Sequence, residues 1–158
     1  GLEVRGTELL LNRSAGRKVS IIGHFPFVGN IRDQASQCRV FEFEQKDGDS
    51  PAYEAYVRIP ESDVVIITGS AFVSDTIDLL LAAAKGKEVF IVGPTTVMSP
   101  VLFDFGAACL CGVRVDEPDV SFRHIAEGGT FRRLAGTTQV VMTAPGFEYI
   151  IGSHESGA

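Results

Sequence analysis

Residues 63–69 read Asp-Val-Val-Ile-Ile-Thr-Gly, and this stretch decides the fold. Val64 to Ile67 are four β-branched residues in a row, with no alternation of apolar and polar positions. A strand with one wet face must alternate, whereas a strand buried on both faces need not. The pattern therefore describes a parallel sheet covered by helices on both sides. Lys18 to Gly23 (KVSIIG) and Glu88 to Gly93 (EVFIVG) have the same build, and each ends in glycine. Further β-rich runs lie at Arg39 to Glu44, Cys109 to Arg114 and Gln139 to Thr143.

Helix signals fill the gaps between these runs. Ser50-Pro51 offers an N-cap followed by a proline at the first helical position. Ser74 is a candidate cap for a helix that carries Asp75 and Asp78 in its first turn and stops at Lys85-Gly86. Ser99-Pro100 opens another, ending at Gly106. Asp116 or Asp119 starts one that ends at Gly128-Gly129, and Thr7 caps a short leading helix through Leu11. The alternation predicts an α/β fold, a Rossmann-like three-layer sandwich with a mostly parallel sheet of five to six strands. One domain over residues 1–158 is expected, with its core at 18–143, a short N-terminal helix and a loosely held tail from Gly146.

Composition narrows the partners. Apolar residues make up 45% and charged residues 22%, the balance of a globular chain rather than a disordered one. Net charge is −6, and the basic clusters Arg17-Lys18 and Arg132-Arg133 are too short to track a phosphate backbone, which argues against nucleic acid. The longest apolar stretches fall far short of the ~20 residues that span a bilayer, so no membrane is expected. Gly1 in place of Met suggests a processed or excised chain. No signal-peptide pattern is present, and three cysteines do not make a secreted disulfide framework, so the cytoplasm is the expected compartment.

In an open parallel sheet, ligands bind beyond the carboxyl ends of the strands, near the reversal of strand order. The strand-end segments are therefore the places to look: Gly23-His24-Phe25-Pro26, Glu42-Phe43-Glu44, Thr68-Gly69-Ser70, Gly93-Pro94-Thr95-Thr96 and Gly112-Val113-Arg114. Glycine there allows a sharp turn and a close approach by a ligand. Neither G-x-G-x-x-G nor G-x-x-x-x-G-K-[ST] occurs, so the dinucleotide fingerprint and the P-loop are both absent. Gly23 can equally be an ordinary tight turn. Glu42, 19 positions after Gly23, occupies the place where an acid accepts hydrogen bonds from ribose hydroxyls in nucleotide-binding relatives of the fold.

The Thr-Gly and Gly-Pro turns precede helices. Their hydroxyls and amides would suit an anion, although plain capping by serine and threonine is the competing reading. His24 could ligate a metal or move a proton; a hydrogen-bonded structural histidine is the plainer alternative. Cys109 and Cys111 point to one face of their strand and could hold a soft metal, but burial as small hydrophobic residues is the expectation. Cys38 has no partner by spacing, and no nucleophile–base pair is visible.

The phrases IIGHFPFV, VFEFE, SDVVIITGSAFVSDTIDLLL, VFIVGPTTVMSPVLFDFGA, GVRVDEPD and EGGTFRRL occur in this order between Lys18 and Thr143. Together they resemble a family of Rossmann-like domains for which heavy-metal chelation has been proposed. The resemblance implies a ligand site at Gly23, His24, Phe25 and Pro26, at Glu42, at Thr68, Gly69 and Ser70, at Gly93, Pro94 and Thr95 with the helix start at Ser99, and at Asp116. It implies a metal ion or metal chelate as cofactor or ligand. Members commonly follow a smaller domain similar to the enolase N-terminal domain, with the cleft between the two. This chain departs from the pattern at Ser70-Ala71-Phe72-Val73-Ser74-Asp75, where a hydroxyl and an asparagine or histidine are usual, and the enolase-like part is not within its 158 residues.

Three functions follow as expectations. The first is a module that binds a small anionic or nucleotide-like molecule or a metal chelate. The second is an enzyme using His24 or Glu42 as acid or base. The third is a subunit that pairs with an enolase-like domain or with another copy of itself.

Overall fold

The computed structural model describes residues 2–129 and 134–147, with side chains from Gly6 onward. Residues 130–133, half of the EGGTFRRL phrase and including Arg132-Arg133, and the tail with Tyr149-Ile150-Ile151 and His154 lie outside the described residues.

Among the described residues, seven strands form one sheet in the order β3-β2-β1-β4-β5-β6-β7. They are β1 (Lys18–Ile22), β2 (Gln37–Glu42), β3 (Ser50–Pro51), β4 (Val64–Thr68), β5 (Glu88–Val92), β6 (Ala107–Val115) and β7 (Thr137–Thr143). All pairs are parallel except β6–β7, which is antiparallel. The chain runs outward from β1 to β3, then crosses back to place β4 on the other side of β1. Strand order therefore reverses between β1 and β4, where this class of sheet opens a crevice.

Period-2 geometry sends alternate residues to opposite layers. Val19, Ile21, Val40, Val64, Ile66 and Phe90 face a layer made by α1 (Leu2–Ser14) and α2 (Val28–Gln34), which contribute Leu9, Leu10, Val28 and Ile31. Phe41, Val65, Ile67, Val89, Ile91 and Leu110 face the other layer. There α3 (Ala55–Arg58), α4 (Ile77–Ala83) and α5 (Val101–Asp104) supply Ala55, Ile77, Leu80, Leu81 and Leu102. The unbroken apolar runs are unbroken for this reason: every position has a helix above or below it. One polar pair is tolerated in this core because it satisfies itself, with Ser20 Oγ and Ser62 Oγ 2.7 Å apart. At the amino edge, Glu88 receives Arg17 at 2.8 Å and Arg13 at 3.3 Å, fastening α1 to β5.

Several helix boundaries differ from the sequence reading. Ser50-Pro51 does not open a helix. Both residues are extended and form β3, pairing with Phe41 and Glu42 at the sheet edge, where a proline without an N–H is acceptable. The strand count rises to seven through this two-residue strand. Ser74 does not cap α4, because Asp75 sits at φ 56°, outside helical space, and Thr76 takes the cap position. The Ser74 hydroxyl instead donates to the Ser70 carbonyl. Thr7 lies inside α1, which is longer than expected, and Cys38 lies within β2 rather than before it. Helix α6 (Pro118–Ala126) has Glu117 at its N-cap position, between the two expected aspartates, without a side-chain capping hydrogen bond. Helix α2 carries no signal that was read from the sequence.

Candidate functional site

Four of the five expected strand-end segments meet at the carboxyl rim. The Gly23 amide donates to the Phe41 carbonyl at 3.0 Å, which sets the turn after β1 beside Glu42 at the end of β2. A Cβ on Gly23 would lie 2.8 Å from Thr68 Cβ. A Cβ on Gly69 would lie 2.5 Å from the Thr96 amide nitrogen and 2.8 Å from the Thr95 carbonyl carbon. Gly93, at φ 128°, turns the chain in a conformation that larger residues rarely adopt, and a Cβ there would lie 3.6 Å from the Gly69 amide nitrogen. These glycines thus let neighbouring loops touch one another across β1, β4 and β5.

Hydrogen bonds within these turns occupy several of the amides that would suit an anion. Thr68 Oγ1 accepts from the Ser70 amide at 3.4 Å and lies 3.0 Å from Ser70 Oγ, so this turn caps itself. The Thr96 amide closes a turn onto Gly93, and Ser99 accepts from the Leu102 amide at the start of α5. Pro94 and Thr95 stay exposed. The Thr96 hydroxyl is the exception: it is buried and has no hydrogen-bond partner among the described residues.

Asp116 does not join this cluster. Val92 pairs with Cys111, so Asp116 lies four residues, about 13 Å, along β6 beyond the level of Gly93. There it binds Thr138 Oγ1 at 2.5 Å and Arg114 Nε at 2.6 Å. The Thr138 hydroxyl and the Arg114 guanidinium hold its carboxyl below the usual carboxylate range. It ties β6 to β7.

The open part of the rim lies beside β1. A concavity of about 350 Å³ is lined by His24, Phe25, Pro26, Val28, Gly29, Arg32 and Lys46. Phe25 stacks on Phe27 at 4.9 Å between ring centroids, which fixes an aromatic wall. Behind it stands Asp49, whose side chain is 0% exposed. Asp49 Oδ1 accepts from Arg32 Nη2 at 3.1 Å, and Oδ2 accepts from the Lys46 amide at 3.1 Å. His24 Nε2 is 3.9 Å from Oδ2, an electrostatic contact rather than a hydrogen bond. The Asp49 amide closes the turn by donating to the Lys46 carbonyl. One buried carboxylate thus holds the Arg32 side chain and the Lys46 backbone beside the cavity, with His24 close by.

Arg32, Lys46 and Asp49 were not singled out by sequence reasoning. The Asp47-Gly48 pair marks a turn, and Gly48 takes φ 86°. Nothing local says that this turn will meet an arginine 17 residues upstream. Glu42 is half-buried, and its Oε2 accepts from the Phe43 amide. Cys109 and Cys111 share a face and are buried, as expected.

The DUF364 family, described as "Putative heavy-metal chelation", matches residues 6–144. The chain belongs to this family. An uncharacterized protein of Methanocaldococcus jannaschii is 31% identical over 126 residues, which is 75% of this chain and 48% of that one. A DUF364 protein of unknown function from Desulfitobacterium hafniense superposes with a TM-score of 0.79 at 27% identity, over 87% of this chain and 56% of the other. A second, from Pyrococcus horikoshii, gives 0.75 at 23% identity, over 87% and 58%, and speaks for the fold alone. The DUF364 chain described here spans about half the length of these relatives.

Proposed function

We propose that the domain binds a small anionic molecule, carboxylate- or phosphate-bearing, in the concavity beside the end of β1. Metal chelates of such acids belong to this ligand class. The observation that carries the reading is the convergence of His24, Arg32 and Lys46 on one cavity with Phe25 as an aromatic wall. Arg32 can present a planar fork to a carboxylate or phosphate while its other edge stays on Asp49. Glu42 stands at the next strand end as an acceptor for ligand hydroxyls. The Gly69 and Gly93 loops continue the rim, with the unsatisfied Thr96 hydroxyl beneath them.

The donor set fits a chelate better than a bare hard cation. Asp49 is already engaged by Arg32 and Lys46, and among the described residues no group of three or more His, Cys, Asp or Glu side chains could hold an ion. A metal arriving within its own organic acid would need only anion contacts from the protein. Turnover by His24 and Glu42 has less support, since no hydrogen bond joins His24 to Glu42 or Asp49 among the described residues. A cytoplasmic setting accords with three free thiols, and no described helix is long and apolar enough to cross a membrane.

A second reading concerns a partner domain. Phe43 and Tyr53, 76% and 73% exposed, flank the β2 edge next to Glu42, and the chain spans only about half its relatives' length. An enolase-like domain docked there would cover both rings and wall the rim.

A thermal-shift panel tests the first reading with inorganic phosphate, citrate, ATP and nickel(II) citrate. A ligand at 100 times its dissociation constant adds about 2.7 kcal/mol, which raises the midpoint of a chain this size by about 5–10 °C. At least one probe should do so, and Lys46→Glu should abolish the rise, since the Lys46 contact to Asp49 uses its backbone amide. No rise with any probe, or a rise that survives Lys46→Glu, rejects the reading.

A further inference from the structure

Helix α6 is built inside out. A surface helix ordinarily turns its apolar stripe to the core and its polar side to water. In α6 the buried residue is Ser121, whose hydroxyl donates to the Ala135 carbonyl at 2.7 Å. Just before the helix, the Asp116 and Glu117 amides donate to the Gly136 carbonyl, and a Cβ on Gly136 would lie 2.7 Å from the Glu117 carbonyl oxygen. These contacts fix which side of α6 faces the segment leading into β7. At about 100° per residue, Pro118, Phe122, Ile125 and Ala126 then share an outward arc of about 100°. All four are exposed, Phe122 by 75% and Ile125 by 57%. Val115, 49% exposed, ends the β6 overshoot beside them. One flank of the stripe carries Asp119 and, one turn on, Arg123. Neither makes an ion pair among the described residues.

We infer that this stripe is the contact face of a symmetric homodimer, in which α6 of one copy packs antiparallel on α6 of the other. Self-complementary charge selects a second copy as the occupant. A two-fold axis at the level of Ser121 sets Asp119 of each copy opposite Arg123 of the other and makes both pairs at once. A parallel pairing would set like charges together. The same axis leaves the two Phe122 rings about 3 Å apart along the helices, an offset that suits stacked aromatics. The antiparallel arrangement also places each helix's positive end beside the other's negative end. An interface built on one short helix falls at the low end of the ~1,200–2,000 Å² that specific complexes bury, so the two chains should exchange with single ones in the micromolar range. β4 and β5 separate this arm from the rim concavity beside β1, and the inference does not rest on the anion reading.

The test measures the mass of the full chain in solution by sedimentation from about 1 to about 300 μM, the range over which a micromolar interface assembles. The mass should rise from one chain to two and no further, since a two-fold contact closes on itself. Phe122→Asp should hold the protein at one chain throughout with an unchanged circular dichroism spectrum, because the ring it removes is mostly exposed. Asp119→Arg and Arg123→Asp should each hold it at one chain as well. An equimolar mixture of those two variants should return to two chains, since one copy then carries two arginines and the other two aspartates. A single-chain mass at every concentration overturns the inference and leaves the face to a separate domain. A two-chain mass that survives Phe122→Asp places the contact elsewhere and overturns it too. A mixture no heavier than its components rejects the antiparallel pairing.

Discussion

Gly69→Val is expected to lower the stability of the domain by about 3 kcal/mol, the upper part of the range for overpacking a close-packed site. The reason is local and steric. A Cβ at this position would stand 2.5 Å from the Thr96 amide nitrogen and 2.8 Å from the Thr95 carbonyl carbon, and both are backbone atoms that cannot swing aside. The loop after β5 would have to retreat from the loop after β4, and with it Gly93 and the Thr96 hydroxyl. In urea unfolding the midpoint should fall with the slope unchanged, and the thermal midpoint should drop by about 6–12 °C. Gly6→Ala is the matched control. It lies in α1 with open space where its Cβ would go, and it should gain up to about 1 kcal/mol from helix propensity. A Gly69→Val protein as stable as the parent would mean that the two rim loops do not touch.

The second large effect concerns Asp49. Asp49→Ala is expected to cost about 2 kcal/mol, the scale of hydrogen bonds to a charged group. The variant removes the acceptor for Arg32 and for the Lys46 amide together. Full loss of a buried ion pair would cost more, but the Arg32 side chain is 37% exposed and water can take over its charge. Asp49→Asn should fall between the two, because an amide oxygen still accepts one hydrogen bond while the charge is gone. Amide exchange at Lys46 and Asp49 should quicken in the alanine variant ahead of exchange in β1 or β4, since only the turn is released. A loss below about 0.5 kcal/mol would place Asp49 among ordinary surface residues.

Most of the sheet was legible in the sequence because its central strands are buried on both sides, and burial of that kind writes itself as unbroken runs such as Val64 to Ile67. Shorter elements were not. Helix α2 buries only Val28 and Ile31 and contains glycine and asparagine, so it offers neither a stripe nor good propensity. Ser50-Pro51 has the residues of a helix start, yet tertiary pairing with Phe41 and Glu42 made it a strand. Ser74 does not cap because the left-handed Asp75 next door breaks the helical path and Thr76 takes the cap position.

The candidate site divides in the same way. The turns at Gly23, Thr68-Gly69 and Gly93 could be placed on one rim because parallel topology puts all strand ends on one side. Asp116 follows a strand too, but β6 overshoots its neighbour, and no residue pattern announces an overshoot. Arg32, Lys46 and Asp49 come from a helix and a loop that only the folded chain brings together.

The most direct measurement is a map of backbone amide shifts while the full chain is titrated with whichever of phosphate, citrate, ATP or nickel(II) citrate most raises its melting midpoint. The account predicts the largest shifts at Phe25, Gly29, Arg32 and Lys46, smaller ones at Gly69 and Gly93, and none at Arg114 or Thr138. Shifts centred on the β6–β7 end, with the residues around Asp49 unmoved, would contradict it.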